Sequence, residues 1–421
     1  MWNKRVIDYN PYPVSSLVGK LLVMMTDDDQ QVKDILTNDE ELHYAHDDCV
    51  LQAIERLKKA KKNNEKVLIA GDYDCDGITA TTIMKYALDN YGICNGYYIP
   101  DRIKEGYGLS TKTVKLAYEK GYKVILTVDN GVKAFAALNE ATALGIETIV
   151  TDHHQIEQTV PANIIVHPDY MAKEYRYFSG AGVALQIAYG LIGENISLVT
   201  LAGIAALADV MPALAQTRVL IKKALLYLKQ GYVPAIQKLM IPNSKKDIAA
   251  INFTIIPKLN SIGRMSHLAN VNQLVPYLLS TNDTLQTRIA KLISTINDER
   301  KKISNQKAKE LEKQVQDDDI VLLYDPTLLE GICGLVAGRI SNKLQKPVLV
   351  LTKNEQNIIK GSGRSRPDFN LFEALKEFPY YLAFGGHEQA CGLSIQEDKL
   401  LDLKKYIANI CLLYTSPSPR D

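Results

Sequence analysis

The feature that most restricts the fold lies between Val67 and Asp152, where short β-branched runs alternate with amphipathic stretches. The runs are VLIAG (67–71), GYYIP (96–100), VILTV (124–128) and ETIVT (147–151), and helical periodicity fills the gaps at 78–91, 110–120 and 133–144. A run such as VILTV is apolar on both faces, which suits a strand covered by helices above and below. Parallel neighbours joined by helical crossovers meet that need, so the expected fold class is α/β with an open, mostly parallel sheet.

Three of these runs end in acidic residues: VLIAG in Asp72, Asp74 and Asp76, VILTV in Asp129, and ETIVT in Asp152, followed by His153 and His154. In an open parallel sheet the carboxyl ends of the strands share one edge, so these side chains should converge there. Asp209, in ALADVMP, follows a small-residue helical run able to pack close to that edge. One such Asp alone would be read as a turn or helix-cap residue. Their recurrence at strand ends is what turn chemistry does not predict. So many carboxylates beside imidazole need a cation, and Asp/His ligation without thiolate suits Mn²⁺ or Mg²⁺. Two such ions are a standard device for in-line hydrolysis of a phosphoester. Cys75, between two acidic residues, is read as an apolar filler.

Beyond this region the pattern turns helical over 181–230, and an ordered segment at 250–265 is assigned to the same unit. Residues 282–316 contain no Gly or Pro and grow densely charged, which predicts one long, mostly exposed helix. DIVLLYD (319–325), a helix over 333–344, PVLVLT (347–352) and IIKGSGRS (358–365) then restart an α/β alternation. The expected division is an N-terminal segment (1–65), a catalytic domain (66–281), a connecting helix (282–318) and a smaller α/β domain (319–410). The last eleven residues, CLLYTSPSPRD, resemble a translated cloning adapter and are read as a non-native tail, 411–421, so that the native chain is expected to continue.

Composition narrows the function less. Lys and Arg number 49 against 48 Asp and Glu, a net charge of +1, so the bulk field does not draw in a polyanion and binding to one must be local. No apolar stretch approaches the roughly 18 residues of a membrane span. The N-terminus has no secretory pattern, and six Cys at 49, 75, 94, 333, 391 and 411 form no CxxC pair. The expectation is a cytoplasmic, reduced protein with no membrane association.

GDYDCDGITATT (71–82), TVDNGV (127–132), TDHHQ (151–155) and ALADVMP (206–212) resemble, in order and spacing, the four motifs of the DHH phosphoesterase family. SGAGVA (179–184), PKLNSIGRM (257–265), GICGLVAGRI (331–340), GSGRSRPDFNL (361–371) and GGHEQACGL (385–393) are similar to its RecJ branch. The resemblance implies a DHH domain, a long helix and a DHH-associated domain. It implies 5′ to 3′ degradation of single-stranded DNA to mononucleotides with two Mn²⁺ or Mg²⁺ ions, in DNA repair and recombination. By motif, Asp74, Asp76, Asp129, His153 and Asp209 are the metal ligands and Asp72 a ligand or its supporting partner. His154 would face the scissile phosphate, and Asp152 would orient the imidazoles. Substrate contacts would come from Asn260, Arg264, Arg364, Ser365, Gly385, Gly386 and His387, the Arg forks suiting phosphate. The implied partners are single-stranded DNA, with a single-stranded-DNA-binding protein or a helicase, and a monomeric chain.

Two departures stand out. YDPTLLE (324–330) lacks the His the family usually carries before GICGLVAGRI, and Ala390-Cys391 replaces the usual Ala pair. The OB-fold that usually follows in this branch is not expected in this chain. Two other readings are kept: a phosphodiesterase of the same family for short oligonucleotides or cyclic dinucleotides, and an inactive nucleic-acid-binding module.

Overall fold

The structure, a computed structural model, describes residues 14–25, 29–36 and 41–415. In the first of its two compact units, β1 (Lys66–Ala70), β2 (Asn95–Tyr98), β3 (Tyr122–Val128), β4 (Glu147–Thr151) and β5 (Ile164–Val166) form a sheet in the order β2-β1-β3-β4-β5. Every pair is parallel. The direction of winding reverses between β1 and β3, which leaves a crevice at their carboxyl ends.

Five helices flank this sheet: α1 (Asp48–Lys62), α2 (Cys75–Tyr91), α3 (Thr111–Glu119), α4 (Phe135–Ala143) and α5 (Gly180–Ile192). Strand side chains alternate between faces. Leu68, Ala70, Ile125 and Val150 point to the side where α3 and α4 contribute Val114, Ala117, Leu138 and Ala141. The intervening Val67, Ile69, Val124, Leu126 and Ile149 are equally buried, on the side where α1 and α2 pack against α5. The alternation therefore gives the α/β sandwich that the apolar strands require. Two further helices follow, α6 (Ile196–Ala208) and α7 (Ala215–Gln230).

Local chemistry shifts several ends. Helix α2 starts at Cys75 rather than at 78, because the Asp74 side chain accepts a hydrogen bond from the Gly77 N–H at 3.0 Å and caps the first turn. Strand β5 is three residues long, too short for a period to show. A five-residue π-helix, Ile251–Ile255, precedes α8 (Ile256–Arg264). The long helix, α9, spans Asp283–Glu312 and is less exposed than its charge suggests, with Ala290, Ile293, Ile296, Ala308 and Leu311 forming a buried stripe.

The second unit comprises Asp101–Gly106, Pro257–Val271 and the chain from Arg288 onward. This differs from the contiguous 66–281 read from the sequence. The reason is close packing: a Cβ on Gly331 would lie 2.1 Å from the carbonyl oxygen of Arg264, so the end of α8 is held against the 331–334 segment. Asp101 joins the same unit by accepting from the Ser266 hydroxyl at 3.1 Å.

The sheet of this unit runs β6 (Val321–Tyr324), β7 (Val348–Lys353), β8 (Ile358–Arg364), β10 (Ala390–Gln396) and β9 (Tyr381–His387). Its first pair is parallel and the rest antiparallel. Leu349, Leu351, Ile359, Leu393 and Ile395 pack beneath Leu403 and Ile407 of the last helix, Leu400–Thr415, and α10 (Cys333–Leu344) contacts β7 and β8. That last helix continues past 410, so the backbone of the first residues read as a tail is helical, whereas 416–421 lie outside the described residues. The N-terminal segment 1–65 lies partly outside them too, and its helix α1 packs into the first unit. Among the described residues no helix is long and apolar enough to cross a membrane.

Candidate metal centre

The carboxyl ends of β1, β3 and β4 deliver the acidic residues to one place. Their donor atoms fall into three overlapping groups: Asp72, Asp74 and Asp129; Asp76, His153 and Asp209; and Asp129, His153 and His154. Within each group the atoms lie within 4.8 Å of one another. Asp129 and His153 each belong to two groups. The His153 Nε2 stands 3.2 Å from Asp129 Oδ1, 3.4 Å from Asp209 Oδ2 and 3.8 Å from Asp76 Oδ2.

Each position has a local cause. Asp74 caps α2, and Asp76 sits in the first turn of the same helix, where its carboxylate reaches the start of α5. It accepts from the Ser179 hydroxyl at 3.0 Å and from the Gly180 and Ala181 N–H groups, both at 2.8 Å. A helix N-terminus is a natural seat for a negative charge. Gly180 also lets α5 approach Asp129: a Cβ there would lie 2.5 Å from both Cβ and Oδ1 of that residue. Asp129 itself takes a left-handed backbone, φ 62°, unusual for a side-chain-bearing residue and typical of strained functional positions.

Asp152 organises the two imidazoles. Its Oδ1 accepts from the backbone N–H of His153 at 2.7 Å and of His154 at 3.1 Å, and lies 2.7 Å from His154 Nδ1. Its Oδ2 accepts from the Val132 N–H at 3.0 Å. Buried His167 donates from Nε2 to the His154 carbonyl at 2.9 Å, while its Nδ1 accepts from the Asp169 N–H at 3.1 Å. The Tyr107 hydroxyl donates to the Asp129 carbonyl at 2.8 Å and lies 3.2 Å from His154 Nδ1.

The electrostatics follow from burial and crowding. Burial and the neighbouring Asp74 push Asp76 up to about 6 despite its hydrogen bonds. Burial, then Asp76 and Asp74, push Asp209 up to about 7. Asp129 is driven well above its ordinary value by burial and four nearby carboxylates. Burial and His154 depress His153 to about 4, so it is a neutral ring with a lone pair to offer. Burial opposes charge on His154 as well, but its bond to Asp152 prevails and raises it to about 9. Asp152 is correspondingly held low, its own burial outweighed by His154 and the backbone donors.

A divalent cation fits this set. Among the described residues neither Asp129 Oδ1 nor His153 Nε2 has a hydrogen-bond partner, although both are buried. Atoms of that kind are costly unless a cation or proton sits between them. The donors are carboxylate oxygens and imidazole nitrogens, the choice of a hard ion such as Mg²⁺ or Mn²⁺. Cys75 is buried, and burial and the flanking acids raise its thiol pKa, in keeping with a small apolar filler.

The expected substrate contacts lie in the second unit. Asn260 and Arg264 sit on α8, and Arg364 ends β8 with its guanidinium against Gly334 of α10, 2.8 Å from where a Cβ would be. Ser365 uses its hydroxyl within a turn, donating to the Phe369 carbonyl at 2.6 Å, whereas the Ser362 hydroxyl is beside Gly334 with Arg364. Gly385, Gly386 and His387 lie exposed in β9, an edge strand, rather than in a turn.

Sequence reasoning assigned no role to several residues that the structure ties to these sites. Ser179, Gly180, Tyr107 and His167 hold the acidic cluster. Burial lowers the pKa of the half-buried Arg364, opposed by Cys391 and helped by Arg102, and burial raises that of Glu330 against Lys360 and Arg102. The available signals were the SGAGVA motif for the first two and the charged DRIKEGYGL segment for Arg102 and Tyr107.

The chain matches the DHH family, N-terminal domain, over residues 66–208, and the DHHA1 domain over 317–411. It is 33% identical over 374 residues to the single-stranded-DNA-specific exonuclease RecJ of Bacillus subtilis (strain 168), covering 85% of this chain and 47% of that protein. It therefore spans about half of that relative's length. RecJ of Dickeya dadantii (strain 3937) is 30% identical over 400 residues, covering 86% of this chain and 69% of that protein. The crystal structure of RecJ in complex with Mn²⁺ from Thermus thermophilus superposes with a TM-score of 0.80 at 25% identity, covering 90% of this chain and 57% of that one. With its acidic centre at the strand ends and this likeness along most of its length, the chain belongs to the RecJ family of the DHH phosphoesterases.

Proposed function

We propose that this chain hydrolyses phosphodiester bonds of single-stranded DNA from the 5′ end, releasing mononucleotides, with two Mn²⁺ or Mg²⁺ ions. The observation that carries the reading is the pair of unpartnered buried atoms, His153 Nε2 and Asp129 Oδ1, ringed by Asp209 and Asp76. The relatives' names supply the single-stranded DNA substrate, and the family resemblance of the motifs supplies the 5′ polarity.

Asp74, Asp76, Asp129, His153 and Asp209 hold the ions, with Asp72 completing the set beside Asp74 and Asp129. When bound, such ions supply Lewis acidity at a phosphate oxygen and neutralise the charge that builds there. His154 stays cationic at neutral pH because of Asp152, and so presents a positive charge to the scissile phosphate. Asp152 fixes both rings through the N–H groups it accepts. In the second unit, Arg264 and Arg364 are the phosphate contacts along the strand, their guanidinium forks matching phosphate oxygens. His387, with Gly385 and Gly386, contacts the nucleotide. The same reading places the chain in the cytoplasm as a monomer, meeting DNA exposed by a helicase or held by a single-stranded-DNA-binding protein in repair and recombination.

The test is release of labelled mononucleotide from a 5′-labelled single strand with Mn²⁺, beside the matching duplex and the Asp129→Ala variant. Release from the single strand alone, lost in the variant, is the expected result. Cleavage confined to very short oligonucleotides would replace the substrate in this reading, and no hydrolysis of either would leave a binding module.

A further inference from the structure

Helix α6 ends beside the metal centre in an unusual way. Asp209 is its last, half-in residue, the Val210 N–H donates to the Leu207 carbonyl at 3.3 Å, and the Met211 N–H donates to the Ala206 carbonyl at 2.9 Å. These two bonds are the Schellman arrangement, whose second residue takes a left-handed backbone and is ordinarily Gly. Here it is Val210, at φ 54°. A β-branched side chain is the least suited to that conformation, since its Cβ crowds the backbone and two branches leave no relaxed rotamer.

Packing within the protein does not explain the choice. Val210 is 85% exposed, the most exposed of the large apolar side chains among the described residues. Burial usually offsets such a backbone cost, and here it is lacking. The neighbouring carboxylate points inward to His153 at 3.4 Å, so the residue stands at the rim of the acidic cluster. Unfavourable backbone retained at such a rim is the pattern of strain kept for contact with a ligand.

We propose that Val210 contacts substrate, its isopropyl group packing on the apolar face of the nucleotide whose phosphate enters the cluster. This rests on the reading of the chain as a single-strand nuclease and adds a non-polar determinant to a site otherwise built from charges. An apolar contact made alike in ground and transition states would act on KM more than on kcat.

The experiment compares wild type with Val210→Gly and Val210→Ala in three measurements: thermal unfolding of the metal-free protein, Mn²⁺ binding, and steady-state hydrolysis of a single-stranded oligonucleotide. Val210→Gly should melt higher than wild type because the strain is gone, bind Mn²⁺ within about twofold of wild type, and show a KM raised about fivefold with kcat nearly unchanged. Val210→Ala should show the same rise in KM without the gain in melting temperature, which separates the side-chain contact from backbone relief. A stabilised Gly variant with wild-type KM would overturn the proposal and make Val210 only a poor helix cap. Weakened Mn²⁺ binding in both variants would overturn it too, since the defect would then lie at Asp209. Absence of hydrolysis by the wild type sinks the nuclease reading itself, and is seen without any variant.

Discussion

The Nε2 of His153 lies 3.2 Å from Oδ1 of Asp129, and among the described residues neither atom has a hydrogen-bond partner. The ring is neutral and the carboxylate is surrounded by other acids, so a cation between them relieves both. Asp129→Ala should therefore lower the phosphodiesterase rate by at least about a hundredfold while leaving the fold intact. The accompanying signature is loss of most of the rise in melting temperature that Mn²⁺ gives the wild type.

Gly180→Ala tests the close approach of α5 to the same residue. The new Cβ would fall 2.5 Å from Asp129 Oδ1 and 2.7 Å from its Cα, a backbone atom rather than the end of a flexible side chain. A cost of about 1–3 kcal/mol in denaturant unfolding is expected, with activity lost further than stability. A variant as stable and active as wild type would mean that α5 shifts freely.

The pH dependence has a definite sign. Asp76 and Asp209 titrate near 6 and 7 in the folded protein against an ordinary 3.8, so the folded state holds its protons more tightly than the unfolded one. Stability of the metal-free protein should thus fall as pH rises from about 4 through 7, the window between the two values. Mn²⁺ binds the deprotonated cluster, and its stabilising effect should grow over the same range. Melting curves with chelator and with Mn²⁺, taken across that window, read both trends.

His154 owes its raised pKa to Asp152, 2.7 Å from its Nδ1, against the opposing effect of burial. In the metal-free protein its imidazole should titrate near 9 by NMR. Asp152→Asn should bring that midpoint down by more than about one unit, because the ion pair is lost while burial remains. An unmoved midpoint would show that another group holds the charge.

His387 lies on the exposed edge strand β9, so its removal should cost the fold little. If it contacts the nucleotide, His387→Ala should reduce kcat/KM by about tenfold or more with an unchanged melting temperature. Activity equal to wild type would remove it from the site.

Much of both units was legible, because a strand apolar on both faces and a helix of period 3.6 leave unmistakable local patterns. ETIVT is β4 residue for residue, and the α10 helix starts and ends where periodicity predicts. The convergence of Asp72, Asp74, Asp76, Asp129, His153 and Asp209 was legible too, since parallel strands must bring their carboxyl ends together. The β9–β10 hairpin was not. Its turn, Glu388-Gln389, has no turn-forming residue, and GlyGlyHis within a strand reads as a loop. Ser179 and Gly180 reach Asp76 across more than a hundred residues, a separation over which no periodicity carries information.

The α/β layering and the placement of acids at the strand ends follow from residue order alone, because both depend on neighbours a few residues apart. What each acid became depends instead on long-range packing. Asp74 caps a helix, Asp76 is bound by the start of another, Asp152 serves the imidazoles, and Asp129 is left facing His153. Those differences arise from burial and from partners distant in the chain, which set the free energy of a charge but leave no trace in local pattern.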